Sequence, residues 1–283
     1  MRKRYANTKL KFYLGDVRDS QSVLNAMSGV DFVFHAAALK QVPACEYFPY
    51  EAVRTNIEGA ENIVRAIKEL RLNIETVVAI STDKACKPTN VMGMTKAIQE
   101  RIFLTANIDC LKTRFVAVRY GNVLASRGSV VPLFLDQIEA GGPITLTDKK
   151  MTRFLLTLDQ AVDTVFEAMQ FAEAGETYIP KIKAALIVDV VNALVGKKKI
   201  EVKETGVRPG EKLHEVLVSQ EESLRTISRG DYFTIKSILP EVSKPVSPES
   251  FEFDELSSEH FLMTSKEVQT FLDKNLSGDL TGH

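Results

Sequence analysis

The stretch "ETVVAISTDKACKPTNVMGMTKAIQERIFLTAN", residues 75–107, decides how the chain is read. It opens on an apolar run rich in β-branched residues, the composition of a buried strand. A polar cluster, Ser81-Thr82-Asp83-Lys84, follows, and from Val91 the apolar residues recur near helical spacing. A strand that passes through a polar loop into a helix is a building block of a parallel α/β sheet. Lys96 lies in the first turns of that helix, with Met92 four residues before it on the same face. A chemical site would pair Lys96 with a polar group, yet the sequence offers a thioether.

The same rhythm extends to both sides. "LKFYL" (10–14) reads as a strand and "GDVRD" as a turn. "SQSVLNAMSG" reads as a short helix that Ser20 can cap, and "DFVFHAAA" (31–38) as a second strand. Residues 50–70 carry apolar side chains near helical spacing, and "TRFVAVRY" (113–120) is another strand. Near-continuous apolar strands alternating with helices predict a parallel α/β sheet covered on both faces. After residue 123 the alternation loosens. "VVPLFLDQIEAG" and "TLDQAVDTVFEAMQFA" look helical, "PITLTD" reads as a short strand, and "TSKEVQTFLDKNL" (264–276) reads as a terminal helix capped by Thr264 or Ser265. The chain therefore divides into a sheet domain, 1–123, and a smaller mixed α/β lobe with a tail, 124–283. The Pro- and Ser-rich stretch from 240 reads as loop.

At 283 residues, the chain has ample length for a sizeable core. Apolar residues make up 45% and charged residues 26%, which suits a globular protein. The net charge of −1 gives no reason to expect a nucleic-acid or membrane-surface partner. The three cysteines, Cys45, Cys86 and Cys110, form no CxxC pair, which fits free thiols in a reducing compartment and no metal site. No apolar run approaches a membrane span, and the basic N-terminus lacks the apolar segment of a signal peptide. A cytoplasmic protein is the expectation.

In open parallel sheets, ligands sit beyond the carboxyl ends of the strands. "GDVRD", "STDK" and "YGNV" all fall at such ends, and "HAAALK" supplies small residues that let backbone approach a ligand. One such cluster is an ordinary turn. Several along one sheet edge point to a binding site.

Taken together, "YLGDVRD", "FHAAALKQVP", "TNIEGAENI", "STDKA", "RYGNVLASRGSVVPLF", "MTRFLLTL" and "RPGEKLHE" resemble the nucleotide-sugar dehydratases and epimerases of bacterial surface-polysaccharide synthesis. These belong to the extended short-chain dehydrogenase/reductase superfamily. The branch resembled is that of the inverting UDP-N-acetylglucosamine 4,6-dehydratases and the related UDP-sugar 4-epimerases. The resemblance covers about residues 9 to 275, and it implies a Rossmann-like parallel sheet. It fails at the front, because the chain contains no G-x-G-x-x-G turn to hold the cofactor pyrophosphate. Roughly 60 residues are absent, at about 30 per βαβ unit. Truncation is the favoured explanation, with loss of dinucleotide binding or supply by a partner chain as alternatives.

The resemblance implies NADP (or NAD) as cofactor, a UDP-sugar as substrate and a homo-oligomer. In 4,6-dehydration, oxidation at C4 of the sugar acidifies the C5 hydrogen, and water then leaves from C5 and C6. Lys84 is implied as the C5 base, made neutral by burial beside Lys96 or another cation, and Asp83 as the acid for the C6 hydroxyl. A turn with a solvated ion pair is the ordinary alternative. Lys96 matches the lysine of the Tyr-x-x-x-Lys pair and would hold the nicotinamide ribose. Met92 replaces the tyrosine, which leaves the C4 proton to Thr82 with Lys84 or a water. Asp16 and Val17 are implied at the adenine, and Ala36, Ala37, Ala38 and Lys40 at the phosphates and ribose. Asn56 would brace the site, while Tyr120 and Gly121 would pass the nicotinamide. Asn122, Arg208 and Glu211 would meet the sugar nucleotide, with Arg127 and Arg153 as weaker candidates. His35 reads as structural, and His214, expected on a helix, receives no role. A 4-epimerase shares the C4 oxidation but needs no acid or base at C5 and C6. A chain that only binds UDP-sugars is the remaining alternative.

Overall fold

The computed structural model describes residues 7–124, 126, 129–243 and 251–276. Helix α1 (Ser20–Met27) leads into β1 (Phe32–His35). The short helices α2 (Val42–Tyr47) and α3 (Pro49–Ala52) follow, then a π-helical stretch, Val53–Glu58, that runs straight into α4 (Gly59–Leu70). Strand β2 (Thr76–Ile80), a single 3-10 turn (Asp83–Ala85), α5 (Val91–Asp109) and β3 (Arg114–Val118) form the central unit. Beyond it lie β4 (Asn122–Val123), α6 (Val130–Glu139), β5 (Ile144–Leu146), β6 (Thr152–Leu156) and α7 (Leu158–Phe171). Next come β7 (Thr177–Pro180), β8 (Ala184–Leu186), α8 (Ile187–Val195), β9 (Val202–Glu204), β10 (Val216–Val218) and α9 (Gln220–Ser223). The last elements are β11 (Thr226–Arg229), β12 (Tyr232–Ile235), β13 (Leu256–Ser257) and α10 (Ser265–Leu276).

The main sheet has six strands in the order β1-β2-β3-β7-β12-β11. The first four run parallel; β12 runs antiparallel to β7, and β11 runs antiparallel to β12. The change of residue 123 from regular to irregular alternation is therefore not the end of the sheet, because β7, β11 and β12 return to it. The smaller elements pair as β4-β6-β8, β5-β9 and β10-β13.

Alternation along β2 and β3 assigns one set of side chains to each face. Val77, Ala79, Phe115 and Ala117 pack under α1, α4 and α5 with Val23, Ile63, Ile67 and Phe103. Val78, Val116 and Val118 pack on the other face with Ala168 and Ala172 from α7 and its end. Both faces are covered, as the apolar strands predict. Fully buried Phe103 and Phe115 each contribute up to about 3 kcal/mol by leaving water.

The local signals are mostly kept. Thr157 caps α7 in a reciprocal box with Gln160, and Thr264 rather than Ser265 caps α10 through Glu267. Asp19, not Ser20, caps α1, because its carboxylate accepts from Gln21 N and Ser22 N. Three expectations fail. Residues 10–14 form no strand: Leu10, Tyr13 and Leu14 are exposed, and among the described residues no neighbouring strand offers them a ladder. The second strand stops at His35, so Ala36–Ala38 lie in a loop. The helix read over 50–70 contains the π-helical stretch, an irregularity that often marks a functional segment. Residues 240–243 are without helix or strand, and 244–250 lie outside the described residues. No helix among the described residues is long and apolar enough to cross a membrane.

β1 is an edge strand, and Phe32 and Phe34 on it remain partly exposed. His35 turns inward beside the Phe103 ring, with 5.4 Å between centroids, and its Nε2 has no hydrogen-bond partner. Burial, with the Lys96 charge adding to it, holds its pKa down to about 4. The unfolded chain takes up this proton near the ordinary value of about 6.5, before the native state does. Stability should therefore fall as pH drops from about 6.5 to about 4, by up to about 3 kcal/mol. Denaturant titrations of the wild type against His35→Leu check this; the variant should lack that increment.

Candidate functional site

The loop after β2 is built to hold its shape. Ser81 N donates to Val118 O at 2.8 Å and Asp83 N to Tyr120 O at 3.0 Å, so the loop continues along the end of β3. Thr82 caps the 3-10 turn, and its hydroxyl donates to Asp83 Oδ1 at 2.8 Å. Asn90 then caps α5 through Gly93 N at 2.8 Å. Gly93 is needed for packing: a Cβ there would overlap the Lys84 carbonyl oxygen. The start of α5 can thus lie directly against the candidate catalytic loop.

The loop carries the residues that the sequence singled out. Asp83 is fully buried, and its Oδ2 has no hydrogen-bond partner. Lys84 Nζ lies 3.0 Å from Asp83 Oδ1 and 3.3 Å from Glu215 Oε1. Burial alone would lower the Lys84 pKa, but the Asp83 and Glu215 carboxylates outweigh it and the net shift is upward. The expected net depression of Lys84 is therefore absent: burial and the Arg153 charge press the pKa down, but the Asp83 and Glu215 carboxylates outweigh them. Glu215 had no assigned role, although it closes the motif "RPGEKLHE". Only its place in the fold, opposite Lys84, reveals it.

Lys96 is buried and donates to Ile80 O at 2.6 Å and Gln99 Oε1 at 2.7 Å. Burial lowers its pKa to about 8, against a smaller upward pull from Glu100. Met92 packs with Cys45 and Ala52, so the tyrosine position is filled by core packing. Asn56, fully buried in the π-helical stretch, donates to Thr95 Oγ1 at 2.9 Å and bonds both backbone groups of Leu39. It ties α5 to the loop after β1. In that loop Ala36, Ala37 and Lys40 are exposed and Ala38 is half-buried.

The remaining candidates scatter. Gly121 lies so close to Phe154 that a Cβ would meet its backbone oxygen at 2.7 Å. Tyr120 is partly buried, which raises its pKa, and Asn122 Oδ1 is buried without a partner. Glu211 Oε2 is likewise unpartnered, whereas Arg208 is exposed. The segment holding both is pinned to the loop before α5, since Thr89 and Asn90 donate to Gly210 O. A strand rather than a helix follows this segment, and His214 donates to or accepts from Thr152 Oγ1 at 2.8 Å outside any helix. The Arg153 guanidinium donates to the carbonyls of Thr152, Lys212 and Leu213. Asp16 pairs with Arg18 at 2.6 Å, and that hydrogen-bonded ion pair holds its pKa down to about 2. Val17 O accepts from Asn62. Asp16 bonds Arg18, which also reaches Glu51, and Val17 bonds Asn62 on α4; among the described residues neither forms a hydrogen bond or ion pair with the Lys84 cluster. Arg127 lies outside the described residues.

A second buried cluster joins the loop to the C-terminal segment. Arg119, after β3, bonds Glu100 on α5 at 2.7 Å and Glu222 on α9 at 2.8 Å, and donates to Leu217 O. Ser81 Oγ donates to Glu100, and Cys86 Sγ lies 3.6 Å from Glu222 Oε2. Against the cost of burial, the Arg119 charge brings Glu222 down to about 2. Both ends of the 81–86 loop are thereby held by one guanidinium and its two acids.

The lowered Lys96 pKa has a sign that can be checked. The native state releases this proton near pH 8, while the unfolded chain holds it to about 10.4. Stability should therefore rise with pH across about 8 to 10.4, by roughly 3 kcal/mol. Denaturant titrations of Lys96→Met should lack that rise; parallel curves for both proteins would refute it.

A family model described as "Polysaccharide biosynthesis protein" matches residues 1–237. The UDP-glucose 4-epimerase of Rickettsia bellii (strain RML369-C) is 46% identical over 233 residues, covering 81% of this chain and 68% of that protein. The X-ray structure of Pen from Bacillus thuringiensis superposes with a TM-score of 0.89 at 34% identity, over 97% of this chain and 85% of that one. DesIV, a dTDP-glucose 4,6-dehydratase from Streptomyces venezuelae solved with NAD and TYD, shares the fold, with a TM-score of 0.67 at 20% identity over 74% of this chain and 70% of that one. The chain is α/β with the Rossmann-like sheet of the short-chain dehydrogenase/reductase superfamily, and it belongs to the polysaccharide biosynthesis protein family.

Proposed function

We propose that the chain acts on a UDP-sugar by reversible oxidation at C4, as a UDP-sugar 4-epimerase serving surface-glycan synthesis. The observation that carries this reading is Lys84, which is held between Asp83 and Glu215 as an ammonium. Removal of the C5 proton requires a neutral amine. Epimerisation makes no such demand. The activity of the Rickettsia bellii relative agrees with this choice.

In this role the Lys84 ammonium would hydrogen-bond oxygens of the sugar or its diphosphate. Thr82 would hold the C4 oxygen, and its proton would pass to water, since Met92 cannot take it. Asn122, Arg208 and Glu211 would hold the sugar nucleotide. The unpartnered oxygens of Asp83, Asn122 and Glu211 support a polar ligand here, because buried polar atoms are rarely left unbonded.

A nicotinamide dinucleotide, NADP or NAD, would supply the hydride acceptor and donor. One half of it fits the residues present. The exposed Ala36 and Ala37 leave backbone open at the end of β1, and buried Lys96 provides a cation at the end of β2. Assembly of the chain into a homo-oligomer is part of the same proposal.

A second reading, 4,6-dehydration with inversion at C5, is favoured by the fully buried Asp83 with its free Oδ2 next to Lys84. Proton NMR of the chain with UDP-glucose or UDP-N-acetylglucosamine and NAD or NADP separates the two. A galacto-configured product is expected. Signals of a 4-keto-6-deoxy sugar would establish the dehydratase instead. Silence both from this chain and from one carrying an added glycine-rich βαβ unit would leave a UDP-sugar-binding protein.

A further inference from the structure

Gln99 lies one turn after Lys96 on α5 and is fully buried. One turn further on, Phe103 fills the same side of the helix, and an apolar side chain would serve packing equally well at position 99. A buried amide is costly unless it is hydrogen-bonded. Gln99 Oε1 accepts from Lys96 Nζ at 2.7 Å, and Nε2 has no partner. Among the described residues, Lys96 is thus the one group that this amide bonds.

Lys96 is 5% exposed. An ammonium has three N–H donors. Two of them go to Ile80 O at 2.6 Å and to Gln99 Oε1, and among the described residues the third is not engaged. Both acceptors are neutral oxygens. Glu100, the next residue to Gln99, accepts instead from Ser81 and Arg119. His35 on β1 is the other titratable group that faces Lys96, and burial keeps it neutral. The position of the ammonium is therefore fixed, while its charge is not cancelled by an ion pair.

We propose that Gln99 is a positioning residue: with the Ile80 carbonyl, its amide oxygen fixes the Lys96 ammonium at the end of β2 and leaves the charge uncancelled and one N–H free for a ligand hydroxyl. A glutamate has the same length and would hold the ammonium as well, but as an ion pair. The neutral amide holds the cation without neutralising it. On the reading above, the hydroxyl belongs to the nicotinamide ribose. The identity of the ligand rests on that reading; the placement of Lys96 does not.

The test is NMR titration of the Lys96 Cε and Nζ signals in isotopically labelled chain, assigned with Lys96→Met, across about pH 5 to 11. Fluorescence titrations with NADH and NADPH accompany it. Wild-type Lys96 should titrate near pH 8. Gln99→Met keeps the side-chain length and loses the acceptor, so the midpoint should fall by about 1–2 units. In Gln99→Glu it should rise by about 1–3 units. A residue that only packs would move neither, and unmoved midpoints in the folded variants would overturn the proposal. Both variants should bind dinucleotide about tenfold more weakly, Gln99→Glu even though its lysine is still held. Binding by Gln99→Glu as tight as that of the wild type would overturn the role of the uncancelled charge. If Gln99→Glu does not fold by circular dichroism, Gln99→Asn, which withdraws the acceptor, should lower both midpoint and affinity; a midpoint unchanged there would also overturn the proposal. If the wild type binds neither dinucleotide, the cofactor reading fails, and the Lys96 midpoints still decide whether Gln99 positions it.

Discussion

The buried pairing of Arg119 with Glu100 and Glu222 is the interaction on which the site depends. Arg119 follows β3, Glu100 lies on α5 and Glu222 on α9, so one guanidinium joins the sheet, its covering helix and the C-terminal segment. Buried ion pairs contribute little net stability compared with apolar packing, but removing one partner is costly, at about 3–5 kcal/mol. The gain is in position. Ser81 and Cys86 reach the same two acids, so the loop between them has both ends fixed. Within that frame lie Thr82, Asp83 and Lys84.

The same C-terminal segment supplies the charge opposite Lys84. Glu215 lies just before β10, which pairs with β13, and its backbone is bonded to Ser258. A loop from the first half of the chain is thus met by a charged residue more than a hundred positions later. Lys84 stands between two carboxylates, Asp83 beside it in sequence and Glu215 across the fold.

Much of the sheet was legible because β2 and β3 are apolar on both faces, and because the helices over them keep their spacing. The strand over 10–14 was misread: its pattern is that of a strand, but a strand also needs a ladder, and none is offered to Leu14. The helix over 50–70 hid a π-helical stretch, since periodicity over so few residues cannot separate 3.6 from a slightly wider turn. The loop 81–86 and Lys96 stand out in the sequence because their polar residues interrupt apolar runs. Glu215 and Arg119 were not. Each is one charged residue in an ordinary context, and its role arises only from contacts across the fold. Arg153 shows the converse, a basic residue in a family motif that the fold commits to backbone carbonyls.

The measurement that tests this account most directly is incorporation of solvent deuterium at C5 of a UDP-sugar, read by mass spectrometry and NMR after turnover in deuterated water. If Lys84 works as an ammonium, the product is epimerised at C4 and carries no deuterium at C5. A 4-keto-6-deoxy product deuterated at C5 would show that a base acts there, and would contradict the reading of Lys84 as a fixed cation.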